Sequence, residues 1–165
     1  MLELQRVFAE SQRSGGILEV EQADLRCGDV GLEVLGVEFG GAMKNVIAIA
    51  AGVLDGLELG DNTKAALLTR GLAEIVALGT HLGARRKTLY GMSGMGDLIT
   101  TAFSPFGRNR ALGERIGRGE KLADILVDSV KVAEGVGTTK SVHALARREG
   151  IEMPITEQVY LALFR

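Results

Sequence analysis

The chain has 165 residues, a formal net charge of −2, 46% hydrophobic residues and 24% charged residues. This composition excludes a disordered chain and a strongly basic nucleic-acid-binding domain, and the length fits one domain. The single cysteine, Cys27, and two isolated histidines exclude a disulfide framework and a cysteine-based metal site, so we expect no metal. Because no continuous apolar run reaches about 18 residues and no signal-peptide pattern is present, we expect a soluble cytoplasmic protein with no membrane partner.

The N-terminal part predicts a short helix followed by a β-hairpin. Residues 2–12 carry a partial helical stripe of apolar side chains, which ends at a pair of glycines. Residues 17–21 and residues 29–38 read as extended segments, because apolar side chains alternate with others. The two strands would pair as a hairpin, although the connection between them is longer than a tight two-residue turn.

From residue 41 onward the sequence predicts helices only. Residues 42–54 are nearly all apolar, which is typical of a helix buried on every side. Residues 62–82 predict a second long helix, with Asp61 or Asn62 as its N-cap and Gly83 at its C-terminal end. The other predicted helices cover residues 85–91, 97–103, 107–117, 121–127, 138–149 and 154–164. The predicted fold class is therefore mainly α, with a short N-terminal helix and a β-hairpin.

The glycine-rich stretch at residues 91–96 is a poor nucleotide-binding motif. Its glycine order is reversed relative to the dinucleotide fingerprint, no strand is predicted before it, and the acidic Asp97 follows it. A glycine turn that lets a helix N-terminus approach another backbone is the better interpretation.

Lys44 lies near the predicted start of an apolar helix, where a cation is poorly placed. The helix N-terminus carries partial positive charge and burial disfavours the ammonium group, so a carboxylate or a bound anion must offset both effects. Two interpretations remain open. The lysine either extends its ammonium group to solvent from a buried stem, or it is held near a reacting group as a proton donor.

Further polar residues lie at predicted helix starts. Asp97 and Thr101 are four residues apart and share one helix face, although Asp97 alone reads as an N-cap. Arg108 and Asn109 begin another helix, where a guanidinium group beside free backbone amides can bind a phosphate. Taken singly, each residue fits an ordinary solvated helix end; the combination with Lys44 favours an anion-binding site.

Eight ordered motifs cover most of the chain. They are GVEFGGAMKNV (36–46), AAGVLDG (50–56), GDNTKAA (60–66), RGLAE (70–74), GMGDLITT (94–101), GRNR (107–110), VAEGV (132–136) and PITEQVY (154–160). In order and spacing they resemble the C-terminal domain of bacterial-type NAD(P)-dependent glycerol-3-phosphate dehydrogenase, over about residues 35–165.

The resemblance implies a fold, an activity and a set of site residues. The fold is a helical domain of the 6-phosphogluconate-dehydrogenase C-terminal type. Because such a domain without its nucleotide-binding partner would expose apolar surface, we also expect a homodimer or a higher species. The activity is hydride exchange between glycerol 3-phosphate and dihydroxyacetone phosphate with NAD(P), in glycerophospholipid biosynthesis. The implied catalytic residues are Lys44 and Asp97. The implied substrate-binding residues are Lys44, Asn45, Asp97, Thr101, Arg108 and Asn109, and Arg108 and Glu134 are implied to contact the cofactor.

The resemblance also predicts the domain organisation. Residues 1–35 are expected to be the end of a nucleotide-binding domain and an extended connection, and residues 36–165 the helical substrate-binding and dimerisation domain. The family's glycine fingerprint has no counterpart in these 165 residues. We therefore expect the chain alone to be inactive, with a separate nucleotide-binding domain as a candidate partner.

Two other functions remain open. One is a non-catalytic module, derived from the enzyme, that binds a small phosphate or another protein. The other is a different dehydrogenase with the same helical domain, which the Arg108-Asn109 pair disfavours because it suits a phosphorylated substrate.

Overall fold

One long helix, α1, forms the centre of the fold. In the computed structural model, which describes residues 28–128 and 133–165, α1 spans Gly28–Gly56 and most of the other helices pack against it. The others are α2 (Gly60–His81), α3 (Arg86–Tyr90), α4 (Asp97–Phe103), α5 (Arg108–Gly117), α6 (Leu122–Asp128), α7 (Glu134–Glu149) and α8 (Pro154–Phe164), with a π-helical turn at Met92–Gly96. No strand occurs among these residues, which confirms the prediction of a mainly α fold.

The predicted strand at residues 29–38 is wrong, because this segment is the first part of α1. Leu35, Phe39 and Met43 are four residues apart and lie against the core, as the period of a helix requires. The alternating side chains that suggested a strand, such as Leu32 and Val34, are each 40% exposed. The β-hairpin therefore does not form in these residues. Its other predicted strand, 17–21, and the predicted helix 2–12 lie outside the described residues. The predicted domain boundary between residues 35 and 36 falls within this continuous helix.

The middle of α1 is buried on all sides. Every residue from 46 to 52 is buried, and α1 contributes to two apolar clusters. Met43 and Ile47 pack with α2, α3, α4 and α7, while Val46 and Ile49 pack with α5, α6, α7 and α8. By length and composition, the stretch Gly31–Gly56 would suffice to cross a membrane, and 56% of its most apolar window is buried within the protein. A helix buried in a protein core can have the same length and apolar composition.

Helix α5 lies unusually close to α1, because glycines stand at the crossing. A Cβ atom at Gly52 would lie 1.9 Å from the carbonyl oxygen of Arg110, and one at Gly113 would lie 2.0 Å from that of Ile49. Only residues without a side chain permit this approach. The close contact brings the start of α5 to the middle of α1.

The helix ends differ in part from the predicted capping. Asp61 and Asn62 do not cap α2, because the helix begins at Gly60 and its N-cap, Leu59, makes no side-chain cap hydrogen bond. Gly83 has a φ of +101° just after the C-terminal end of α2, as predicted. A positive φ suits glycine because it has no Cβ atom to clash.

Candidate functional site

Lys44 and Asp97 form an ion pair between α1 and the start of α4. Lys44 Nζ donates to Asp97 Oδ2 at 2.5 Å, and the two side chains are 24% and 37% exposed. Lys44 is not at a helix N-terminus as predicted, because α1 begins sixteen residues earlier, at Gly28. The argument from the helix dipole therefore does not hold for this lysine. Of the two expected partners, a carboxylate or a bound anion, the structure shows the carboxylate of Asp97.

Thr101 holds the other oxygen of the same carboxylate. Its hydroxyl donates to Asp97 Oδ1 at 3.3 Å from one turn further along α4. Asp97 is the first residue of α4, and no side chain caps this helix. The N-cap interpretation of Asp97 is therefore wrong, since the carboxylate bridges Lys44 and Thr101 instead.

The glycine-rich turn before α4 explains how Asp97 reaches its place. A Cβ atom at Gly94 would lie 2.0 Å from the carbonyl oxygen of Leu89, so the π-helical turn folds back closely on the end of α3. Such wide turns often occur at functional sites. The prediction of a close backbone approach is confirmed, and α3, rather than a strand, precedes the turn.

The starts of α5 and α7 meet on the other side of the site. Arg108 Nη2 donates to Glu134 Oε1 at 2.5 Å, and the Arg108 side chain is 51% exposed. The side chain of Asn109 is buried, and its Oδ1 accepts the backbone N–H of Gly135 at 2.9 Å. Across residues 28–128 and 133–165, no partner is found for Asn109 Nδ2. This N–H₂ group is therefore a donor that a ligand can use.

Backbone proximity joins the two halves of the site. A Cβ atom at Gly135 would lie 2.7 Å from Asn109 Oδ1 and 2.9 Å from the carbonyl oxygen of Asn45. A Cβ atom at Gly107 would lie 3.4 Å from the carbonyl oxygen of Thr101. Helices α1, α4, α5 and α7 thus meet at the residues that the motifs singled out. The side chain of Asn45 is partly buried and makes no hydrogen bond within the described part of the chain.

A second ionic cluster lies close by and was not predicted. Asp55 near the end of α1 pairs with Lys64 of α2 through Oδ1 and with Arg110 of α5 through Oδ2. Arg110 Nε donates at 2.6 Å, and Lys64 is only 5% exposed. All three residues lie within the quoted motifs, but no local pattern shows that they meet.

Within residues 28–128 and 133–165, no three His, Cys, Asp or Glu side chains lie close enough together to hold a metal ion. The charged groups at the site are therefore paired with one another, cation to carboxylate.

The fold is a helical domain of the 6-phosphogluconate-dehydrogenase C-terminal type. Within that class, the chain belongs to the family described as NAD-dependent glycerol-3-phosphate dehydrogenase C-terminus, which it matches over residues 33–165. This is the family that the motifs predicted.

Relatives and solved structures agree with the family. The chain is 57% identical over 131 residues to glycerol-3-phosphate dehydrogenase [NAD(P)+] of Geobacter sulfurreducens, a match that covers 79% of the chain and 39% of the relative. A relative from Salinibacter ruber is 58% identical over 80% of the chain and 39% of its own length. The structure of the glycerol-3-phosphate dehydrogenase from Coxiella burnetii is similar with a TM-score of 0.76 at 43% identity, over 79% of this chain and 40% of that one. The Saccharomyces cerevisiae enzyme gives a TM-score of 0.73 at 32% identity, over 80% and 39%. The matched part of the chain thus spans about two fifths of the length of these relatives.

Proposed function

We propose that the chain provides the substrate side of a glycerol-3-phosphate dehydrogenase active site, which interconverts glycerol 3-phosphate and dihydroxyacetone phosphate with NAD(P). The observation that carries the proposal is the Lys44–Asp97 ion pair next to the Arg108-Asn109 helix start. This arrangement combines a proton donor with an anion site, as the reduction of a phosphorylated ketone requires.

Lys44 acts on the oxygen atom that is a carbonyl in dihydroxyacetone phosphate and a hydroxyl group in glycerol 3-phosphate. During ketone reduction its ammonium group donates a hydrogen bond and then the proton to the carbonyl oxygen, and in the reverse direction the amine takes the proton from the hydroxyl group. Asp97 orients the Lys44 side chain through its hydrogen bond. Thr101 fixes the carboxylate, so that Lys44 is held in one place. Asn45 follows Lys44 on α1. Within residues 28–128 and 133–165 its amide side chain makes no hydrogen bond, which supports the proposed contact with the substrate hydroxyl groups.

The start of α5 binds the phosphate group of the substrate. The Arg108 guanidinium group can place two N–H groups on phosphate oxygens, and Asn109 Nδ2 supplies another donor. The backbone amides in the first turn of α5 add partial positive charge. Glu134 holds the Arg108 side chain toward the site until the phosphate arrives.

The dinucleotide supplies or accepts the hydride when it is bound. The Arg108 side chain is 51% and the Glu134 side chain 25% exposed, and this partly exposed pair fits a contact with one edge of the cofactor. The described residues include no strand–glycine loop–helix unit, the usual site of the dinucleotide pyrophosphate. The proposed activity therefore needs a nucleotide-binding domain, either in a longer polypeptide or in another chain.

A reconstitution experiment tests this function. We expect the 165-residue chain to show no NADH oxidation with dihydroxyacetone phosphate, and to gain activity when the nucleotide-binding domain of the Geobacter relative is added. Lys44→Met should abolish the restored rate, while Lys87→Met, a matched change on the exposed face of α3, should leave it intact. Turnover by the chain alone, or an active Lys44→Met variant, would contradict the proposal.

We further infer a homodimer in the cytoplasm that serves glycerophospholipid biosynthesis. Exposed apolar side chains around α4 support a partner surface, since Met92 is 85% and Phe106 is 91% exposed. Sedimentation equilibrium measures the mass in solution. A monomer at all concentrations would contradict the dimer.

A further inference from the structure

The Asp55–Lys64–Arg110 cluster joins three helices at a single carboxylate. Each oxygen of Asp55 accepts from a different cation, Lys64 on α2 and Arg110 on α5. The Lys64 ammonium group also lies over the ring of Phe103, 5.0 Å from its centroid. Phe103 is the last residue of α4. The cluster therefore also holds the end of the helix that carries Asp97.

The charges of the cluster lie at unfavourable ends of their helices. Asp55 is in the last turn of α1, where the helix dipole is negative, while Arg110 is in the first turn of α5, where it is positive. Lys64, near the start of α2, is also buried. Burial of ions costs desolvation energy that their attraction often does not exceed, so such clusters are poor devices for stability alone. Such a cluster can instead fix the relative positions of the helices that carry its charges.

The cluster holds both ends of the segment that leads to the phosphate site. Residues 104–107 connect α4 to α5. Lys64 of the cluster contacts Phe103 just before this connection, and Arg110, itself part of the cluster, follows Asn109. Arg108 and Asn109 therefore lie between one residue that the cluster contacts and one that it contains. Because Gly52 and Arg110 are also in close backbone contact, the start of α5 is fixed against α1 at this point.

We propose that Asp55, Lys64 and Arg110 are positioning residues for the phosphate group of the substrate, acting through Arg108 and Asn109. This inference rests on the proposed function. They touch neither the substrate nor the reacting atoms. Their role is to fix the position of α5 along α1, so that the Arg108 guanidinium group and Asn109 Nδ2 converge on one phosphate.

Titration calorimetry of the chain with glycerol 3-phosphate tests the role of Arg110. We expect Arg110→Gln to raise the Kd about tenfold, equivalent to about 1.4 kcal/mol, with the binding stoichiometry unchanged. Arg110→Lys, which keeps a cation on Asp55, should recover most of the affinity. Arg115→Gln is the matched control, because it removes a cation from the same helix, one that pairs with Glu120 instead. It should bind like the wild type.

The calorimetric outcomes distinguish a positioning role of Arg110 from a role in the stability of the fold alone. A purely structural role would lower the stoichiometry as part of the sample unfolds, with the Kd of the remainder unchanged, and that result would overturn the proposal. So would a Kd equal to that of the wild type. If the wild type itself shows no saturable binding, the proposed phosphate site fails first and the positioning role fails with it.

A milder variant covers the case in which Arg110→Gln does not fold. Phe103→Leu removes the ring beneath the Lys64 ammonium group but keeps an apolar side chain and both ion pairs, at a position that is 44% exposed. We expect a threefold weaker affinity, about 0.7 kcal/mol, with an unchanged melting temperature. An unchanged Kd for this variant would then overturn the proposal.

Discussion

The glycine contact between α1 and α5 makes the sharpest prediction about the fold. In Gly113→Ala, the new Cβ atom would lie 2.0 Å from the carbonyl oxygen of Ile49, whereas ordinary contacts begin near 3.4 Å. The three nearest atoms, two of Ile49 and one of Val53, all belong to the backbone, so no side-chain rotation relieves the clash and the two helices must move apart. Overpacking of this kind costs up to about 3 kcal/mol, while alanine gains about 1 kcal/mol over glycine within a helix. We therefore expect a net loss of about 2 kcal/mol, which is the difference between these two terms.

Thermal unfolding followed by circular dichroism measures this loss. A change of 2 kcal/mol should lower the Tm by about 4–8 °C in a chain of this size. Gly137→Ala is the matched control, because Gly137 lies in α7 with nothing within 4 Å of its virtual Cβ atom. That variant should raise the Tm by about 2–4 °C, since only the helix propensity changes. Equal shifts for the two variants would refute the close packing of α5 on α1. Because α5 carries Arg108, Gly113→Ala should also weaken the binding of glycerol 3-phosphate.

Three further predictions concern other contacts. Glu74 is 6% exposed, and its carboxylate accepts three hydrogen bonds at the N-terminus of α8. Glu74→Gln should therefore lower the free energy of unfolding, measured in urea, by about 1.5–3 kcal/mol. An unchanged midpoint of urea unfolding would contradict this role. Arg108→Ala should weaken glycerol 3-phosphate binding at least about tenfold in calorimetry, because one charge-assisted contact contributes about 1.5–3 kcal/mol; unchanged binding would leave Arg108 an ordinary surface residue. The hydrogen bond with His81, followed by that with Arg148, lowers the pKa of Glu149 below its usual value. The Glu149 carboxylate therefore stabilises the fold fully above about pH 4.3, the ordinary pKa of glutamate, and this contribution is lost as the pH falls through the lowered pKa. An NMR titration with an unshifted midpoint would contradict the contact.

Short helices with clear end signals were predictable from local sequence. Helix α4 ends before Ser104-Pro105, and α8 begins at Pro154, because proline cannot donate a backbone hydrogen bond and suits the first turn. The prediction of a strand at residues 29–38 was wrong because the local pattern of this segment is ambiguous. Its apolar residues satisfy the period of a strand and that of a helix at once. Only the packing of Leu35 and Phe39 on the apolar cluster to which α2 and α3 also contribute selects the helix.

The sequence by itself determined the family and the helical class, because ordered motifs and helix periodicity can be read along the chain. It also singled out the candidate site residues. The tertiary structure decided the geometry in which distant charges meet. Lys44 and Asp97 are 53 residues apart, and Asp55 and Arg110 are 55 apart. Such pairs depend on how closely two helices cross, here on the glycines of α1 and α5, and a one-dimensional pattern does not contain that distance.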